Sequence, residues 1–334
     1  MFHASCAVAV GVLVVIGTAA WGAETPTIGL AERTKGPISA LAFTGDGRQL
    51  VIGSQSGVEV RSWPELKLVS KLETKLPMVR DIAFSPDGQT LAIAGGSPAD
   101  WGDIELHAWD PRNNSAITLR CAVKAKDTIT AIAWSPSGKQ LLAASDDKLV
   151  RLYDRDLKAV RTFTGHSRPV SAVAWIGGED QLLSAGYDQS VRLWKVDQEI
   201  PTRTLDQHTG AVHGLAIDPV VRSQPPWLAS CAADKTVRFW QPTIGRMVRF
   251  VKLPTVPQVV RWLPDGSQLV VVGTDGKLRM ISPDSAAITL EEKATAGWSY
   301  ALAVHPSGQW AAVGGEHGEV VGVRLLRTDE GERR

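Results

Sequence analysis

Two stretches of the chain carry histidine, serine, aspartate and tryptophan in the same order, the last three at matched intervals. His166 precedes Ser184, Asp188 and Trp194, and His208 precedes Ser230, Asp234 and Trp240. A histidine that takes a proton from a serine hydroxyl while a carboxylate orients it is the arrangement of nucleophilic acyl transfer. Neither serine fits that chemistry. They stand in "LLSAG" (Leu182–Gly186) and "ASCAA" (Ala229–Ala233), without the G-x-S-x-G elbow that presents a serine nucleophile. The other use of the same residues is a buried polar chain that closes a turn and satisfies groups that packing would strand. The spacing favours that use. Asp146 and Asp147 raise a parallel question, since adjacent acids can be an acid and base, a cation site, or part of a turn. The chain has no HExxH, calcium-loop or CxxC pattern, and His107, His213, His305 and His317 are dispersed. The sequence therefore carries the expectation of no catalytic residue, no metal and no cofactor. A channel that gathers one ligand from each of several units stays open as an alternative.

The acidic pair lies inside "AWSPSGKQLLAASDDKLVRLYD", Ala133 to Asp154, and this stretch recurs. Related segments begin at Ile38, Val79, Val170, Val212, Val259 and Tyr300, which makes seven units with the one at Ile129. The turn glycines Gly47, Gly88, Gly138, Gly266 and Gly308 follow this period, which averages about 40–45 residues, the length of a four-stranded propeller blade. Each unit reads as an alternating strand, a Ser-Pro-Asp-Gly type turn, a continuously apolar strand such as "QLLAAS", a second turn, and a strand such as "SVRLWK". A weaker outer strand follows. One such unit cannot bury both faces, whereas seven packed around an axis can. The last unit stops near Leu325, and the first is preceded by "TIGLAER". Ile28 to Ala31 is therefore expected to supply the missing outer strand of the last unit.

These repeats resemble the WD40 family of β-propellers, over essentially all of the chain after its first residues. The two full sets of His, Ser, Asp and Trp carry the resemblance. It implies that each set is a structural hydrogen-bonded tetrad and that the fold is all-β. The expected architecture is a seven-bladed β-propeller of four-stranded antiparallel blades, its ring closed by an N-terminal strand completing the last blade. Other units depart from the pattern. The third has Asp147 and Tyr153 but Ala143 at the serine position, the sixth has Asp275 and Ile281, and the seventh has His317 and Val323. Asp147 aligns with Asp188 and Asp234, which makes it a turn residue facing inward, whereas Asp146 aligns with Tyr187 and faces outward.

The resemblance further implies that one face carries the loops that meet partners. Met78, Arg80, Trp101, Asp146, Arg168, Tyr187 and Trp298 are the candidate contacts there. Trp101 belongs to an enlarged loop, Gly95 to Asp103, and either anchors a partner or folds onto its own loop. The proline-rich segment Asp218 to Trp227 is expected on the opposite face. Third-strand arginines Arg151, Arg192, Arg238 and Arg279 read as packed stems whose tips reach solvent. With 36 basic and 35 acidic residues, no nucleic-acid footprint is visible. Ala7 to Ala20 is an apolar run that fits a secretory leader, so residues 1–23 are read as a signal peptide, 24–327 as the propeller and 328–334 as a charged tail. An uncleaved anchor is the alternative, and a periplasmic or extracellular location follows from export. Cys121 and Cys231 read as buried thiols, with one bridge as the other possibility, and Cys6 falls in the leader. The function expected is a monomeric, non-catalytic scaffold that binds another protein. The alternatives are a propeller enzyme, either a metal-dependent hydrolase or an oxidoreductase with its site at the central channel, and a domain that assembles with itself.

Overall fold

The repeated turn creates the blades. Gly47, Gly88, Gly138, Gly266 and Gly308 hold φ between 67° and 72°, the left-handed region that glycine enters without steric cost. Their amides donate back across the turn, from Gly88 to the Ser85 carbonyl (2.8 Å) and from Gly138 to that of Ser135 (2.9 Å). The flanking strands therefore return as antiparallel pairs, with Ile82 opposite Ile93 and Val173 opposite Ser184.

In the computed structural model, residues 27–29, 33–110, 115–119, 124–220 and 226–325 are described, and their regular structure is all β-strand. Seven antiparallel sheets follow one another, each running outward from its first strand. We number these blades 1 to 7. Their inner strands are Ile38–Phe43, Val79–Phe84, Ile129–Trp134, Val170–Trp175, Val212–Ile217, Pro257–Trp262 and Ser299–Val304. Each touches the inner strands of both neighbours, and the seventh touches the first, which closes the ring. The expected propeller is thus present. The leader, Cys6, Cys121, the middle of the Asp218–Trp227 segment and the charged tail lie outside the described residues.

The second strands are buried along their length, as in Gln49–Ser54 and Leu269–Gly273. Their two faces meet different blades. Leu142, Ala144 and Val150 of blade 3 pack with Val173, Leu182 and Trp194 of blade 4. Full burial of each large apolar side chain is worth about 1.5–3 kcal/mol, so most of the cohesion lies between blades rather than within them.

The N-terminal strand completes the last blade as expected: Thr27–Gly29 pairs with Val321–Val323, and Leu30 and Ala31 lie outside the described residues. One expectation needs correcting. The supposed Gly95–Asp103 loop is an extension of the blade 2 hairpin, since Thr90–Ser97 and Trp101–Asp110 stay paired almost to the tip. A short fifth strand, Lys124–Ala125, adds to that blade.

All seven inner strands share one irregularity. The register shifts between their first and third residues. A bulge of this kind leaves the second residue out of the ladder and re-aims its side chain. Those second residues are Ser39, Arg80, Thr130, Ser171, His213, Gln258 and Tyr300, and all seven line the central channel.

Candidate functional site: tetrads, channel and rim

The two sets that resembled a catalytic triad are assembled as expected, but deep inside their blades. In blade 4, Trp194 Nε1 donates to Ser184 Oγ (2.8 Å), and His166 Nε2 lies 2.7 Å from the same oxygen. His166 Nδ1 lies 2.9 Å from Asp188 Oδ2. Blade 5 repeats the chain through Trp240, Ser230, His208 and Asp234 at 2.8, 2.7 and 2.8 Å. The serines are fully buried, and each hydroxyl already serves its tryptophan and its histidine. The direction of donation then follows. The tryptophan donates to serine, serine to histidine Nε2, and Nδ1–H to the carboxylate, which is the pattern of a neutral imidazole. Burial lowers the pKa of His208 against the pull of Asp234, in agreement with that tautomer.

The carboxylates respond in the opposite sense. Burial alone would raise Asp234. Hydrogen bonds from Thr236 and His208, with the Thr209 amide, overcome it and bring its pKa to about 2. Burial acts likewise on Asp188, and His166, Ser190 and the Ser167 amide hold it well below the usual carboxylate range.

The remaining blades fill the same place differently. In blade 3, Asp147 receives a two-pronged pair from Arg151, Nη1 to Oδ1 at 3.1 Å and Nη2 to Oδ2 at 2.5 Å. In blade 6, Arg279 grips Asp275 in the same way (3.2 and 2.6 Å) and reaches Glu291 through Nε (2.7 Å). Where histidine is present, Arg192 and Arg238 stand back at 3.5 Å. The arginine tips therefore do not reach for solvent, as the sequence suggested; they turn inward to the aspartates, and Arg279 is only 1% exposed. Blades 1 and 2 place a glutamate at the arginine position. Glu59 holds Arg61, and Glu105 accepts the Lys75 amide (2.9 Å) where blades 4 and 5 have their histidine. His107 occupies the tryptophan position of blade 2, buried beside Glu105.

The channel is about 940 Å³ in volume. Its wall is tied blade to blade by the bulged residues. Ser39 donates to the Val79 carbonyl, Thr130 to Val170 and Ser171 to Val212, each at 2.5 Å, and His213 Nδ1 donates to Pro257 (3.1 Å). At the far end of the same strands, the indoles of Trp134, Trp175 and Trp262 donate to Ala83, Ala133 and Ala216 of the preceding blade at 3.2, 3.1 and 3.0 Å. Sequence reasoning missed both sets. Their signal was available in aligned repeats, as a small polar residue second and a tryptophan sixth in the inner strand.

The candidate rim residues do share a face. Tyr187 and Asp146 donate their amides to Pro169 and Thr128, just before an inner strand, and Gly96 and Glu316 do the same to Met78 and Trp298. Met78, Arg80 and Tyr187 all line the channel. Arg168 is exposed nearby, and the Trp298 ring lies 6.0 Å from Tyr300. Trp101 is half-buried and packs against the core between blades 1 and 2. Asp146 is half-buried, and that burial raises its pKa against the opposing charge of Arg80. Among the described residues, no group of three His, Cys, Asp or Glu is placed to hold a metal ion. Cys231 is buried, which pushes its thiol up to about 12.

The family model described as WD domain, G-beta repeat matches residues 117–154, 157–195 and 199–241. These segments hold the first three strands of blades 3, 4 and 5, each with residues leading from the blade before. Among curated proteins, the chain is 26% identical over 231 residues to Protein HIR1 of Mycosarcoma maydis, covering 59% of the chain and 22% of that protein. It is 28% identical over 230 residues to human Striatin-4, covering 60% and 29%. Anaphase-promoting complex subunit cdc20 of Dictyostelium discoideum is 26% identical over 235 residues, covering 66% and 44%. The chain thus spans less than half the length of these relatives. Three segments thus match the WD40 repeat model and four further blades repeat the same strand order, so the chain carries WD40 repeats within a seven-bladed propeller.

Proposed function

We propose that the chain is a non-catalytic scaffold that binds another protein on the face around the channel mouth. The observation that carries this reading is the pair of exposed aromatics there. Tyr187 is 43% and Trp298 46% exposed, on backbone fixed by the amide bonds described above. Aromatic and arginine side chains on a rigid support make strong interface anchors, since little freedom is lost when they are covered. Arg80 and Met78 line the same channel as Tyr187 and add a cation and an apolar side chain to that face. Trp101 contributes less than the sequence implied, because its indole already has a seat. The relatives support a binding role in general terms, and one of them is by name a subunit of a complex.

The test is cross-linked capture from the source cells with three proteins. These are the wild type, Tyr187→Ala with Trp298→Ala, and Lys139→Ala in an exposed turn at the opposite end of blade 3. Loss of an anchor pair weakens a complex by roughly tenfold or more. The rim variant is expected to lose a partner that the other two retain. Equal capture by all three would overturn the reading.

A further inference from the structure

We propose that the central channel is a binding site for a small organic carboxylate, held by Arg261 with its apolar body against a belt of alanines. The fifth residue of the inner strand is Ala42, Ala83, Ala133, Ala174, Ala216 and Ala303 in six blades, and Arg261 in the other. Six equivalent positions thus show that the wall closes well with a methyl group there. An arginine in the seventh is not required for packing.

Arg261 is exposed within the channel wall and donates one hydrogen bond, from Nη1 to the carbonyl of Val260 (2.9 Å). It forms no ion pair among the described residues. A guanidinium carries five donors in a fork that fits a carboxylate with two parallel bonds. The neighbouring polar groups are already engaged, since Ser39, Thr130, Ser171 and His213 donate to backbone carbonyls. Asp81, the acid that acts on Arg261 through space, accepts from the amides of Ile82 (2.9 Å) and Ile132 (2.8 Å). Of these alanines, Ala133, Ala174 and Ala216 line the channel with Arg261 and suit an apolar body, and the volume of the channel lies in the range of small-molecule sites.

The full chain should be titrated calorimetrically with benzoate, benzyl alcohol and the acetylated, amidated tripeptide Gly-Asp-Gly. Arg261→Ala restores the residue of the other six blades and should keep its melting temperature; Arg261→Lys keeps the charge without the fork. Benzoate is expected to bind saturably and to weaken roughly 10- to 100-fold in Arg261→Ala, with the lysine variant between. Benzyl alcohol should bind more weakly and ignore both substitutions. Tighter binding of the tripeptide than of benzoate, lost in Arg261→Ala, would place the carboxylate on a polypeptide. The reverse order assigns a free acid. The proposal is overturned if no carboxylate binds saturably, or if Arg261→Ala binds benzoate as the wild type does.

Discussion

At the residue scale, the same four side chains that could have been a catalytic group are kept from chemistry by their surroundings. Ser230 has no free lone pair aimed at solvent, and His208 spends both ring nitrogens inside the blade. Their effect is on stability, and its pH dependence can be worked out. The folded pKa of Asp234 is depressed to about 2, against an unfolded value near 3.9. Its contribution is therefore present above pH ~4 and is lost as pH falls toward ~2, a term of about 2 kcal/mol. His208 acts earlier. Burial lowers its folded pKa, so below pH ~6.5 the unfolded chain takes up that proton first and stability begins to fall. Asp234→Asn is expected to melt lower at pH 7 and to lose much of the drop between pH ~4 and ~2. Melting curves of both proteins from pH 7 to 2 check this, and parallel curves would refute the assignment. The Asp146–Asp147 pair is divided by the same logic. Asp147 is neutralised by Arg151, while Asp146 sits outside that grip under the influence of Arg80.

At the element scale, what could be read in advance was what one blade shows by itself. Turn glycines, the continuously apolar second strand and the full tetrads are local, so their spacing along the chain carries them. The fastening between blades was not legible, because its partners lie about one repeat apart and the acceptors are backbone carbonyls of any residue type. Ser171 and Val212, or Trp175 and Ala133, show no pairing signal in sequence. The arginine row was misread for a related reason. Whether Arg151 points outward or inward depends on the missing histidine, which leaves Asp147 open to it. These ties predict a graded response. Ser171→Ala removes one donor to a carbonyl at the channel wall and should lower stability by about 1 kcal/mol. Trp175→Phe removes a similar bond while keeping most of the packing. Because the two ties engage different neighbours, on blades 5 and 3, the double variant should be close to the sum of the singles. Urea unfolding of the three variants measures it. A double variant costing no more than either single would show that the two bonds do not act as separate ties.

At the scale of the whole molecule, a ring needs a device that joins its ends, and here its described part is the three residues Thr27–Gly29. Thr27–Gly29 completes blade 7 by pairing with Val321–Val323. Thr34 adds a bond from its amide to the Gly318 carbonyl (3.0 Å). Ile28 packs against the core shared by blades 7 and 1. On the inner side of the same edge, Val323 is fully buried. Removing residues 1–32 would take away the strand and leave an open edge, which invites pairing with a second molecule. The expected loss is about 2–4 kcal/mol, from part of the burial of Ile28 and Val323 together with the lost ladder bonds. A milder variant, Ile28→Asp, keeps the backbone pairing and should show a smaller loss without a change of size. Urea midpoints give the stability, and chromatography at several concentrations gives the size. The truncated chain is expected to unfold at lower urea and to form larger species as concentration rises. If its midpoint and elution match the full chain, the seventh blade closes by inner-strand packing alone, and the three-residue strand is an ornament of the ring rather than its latch.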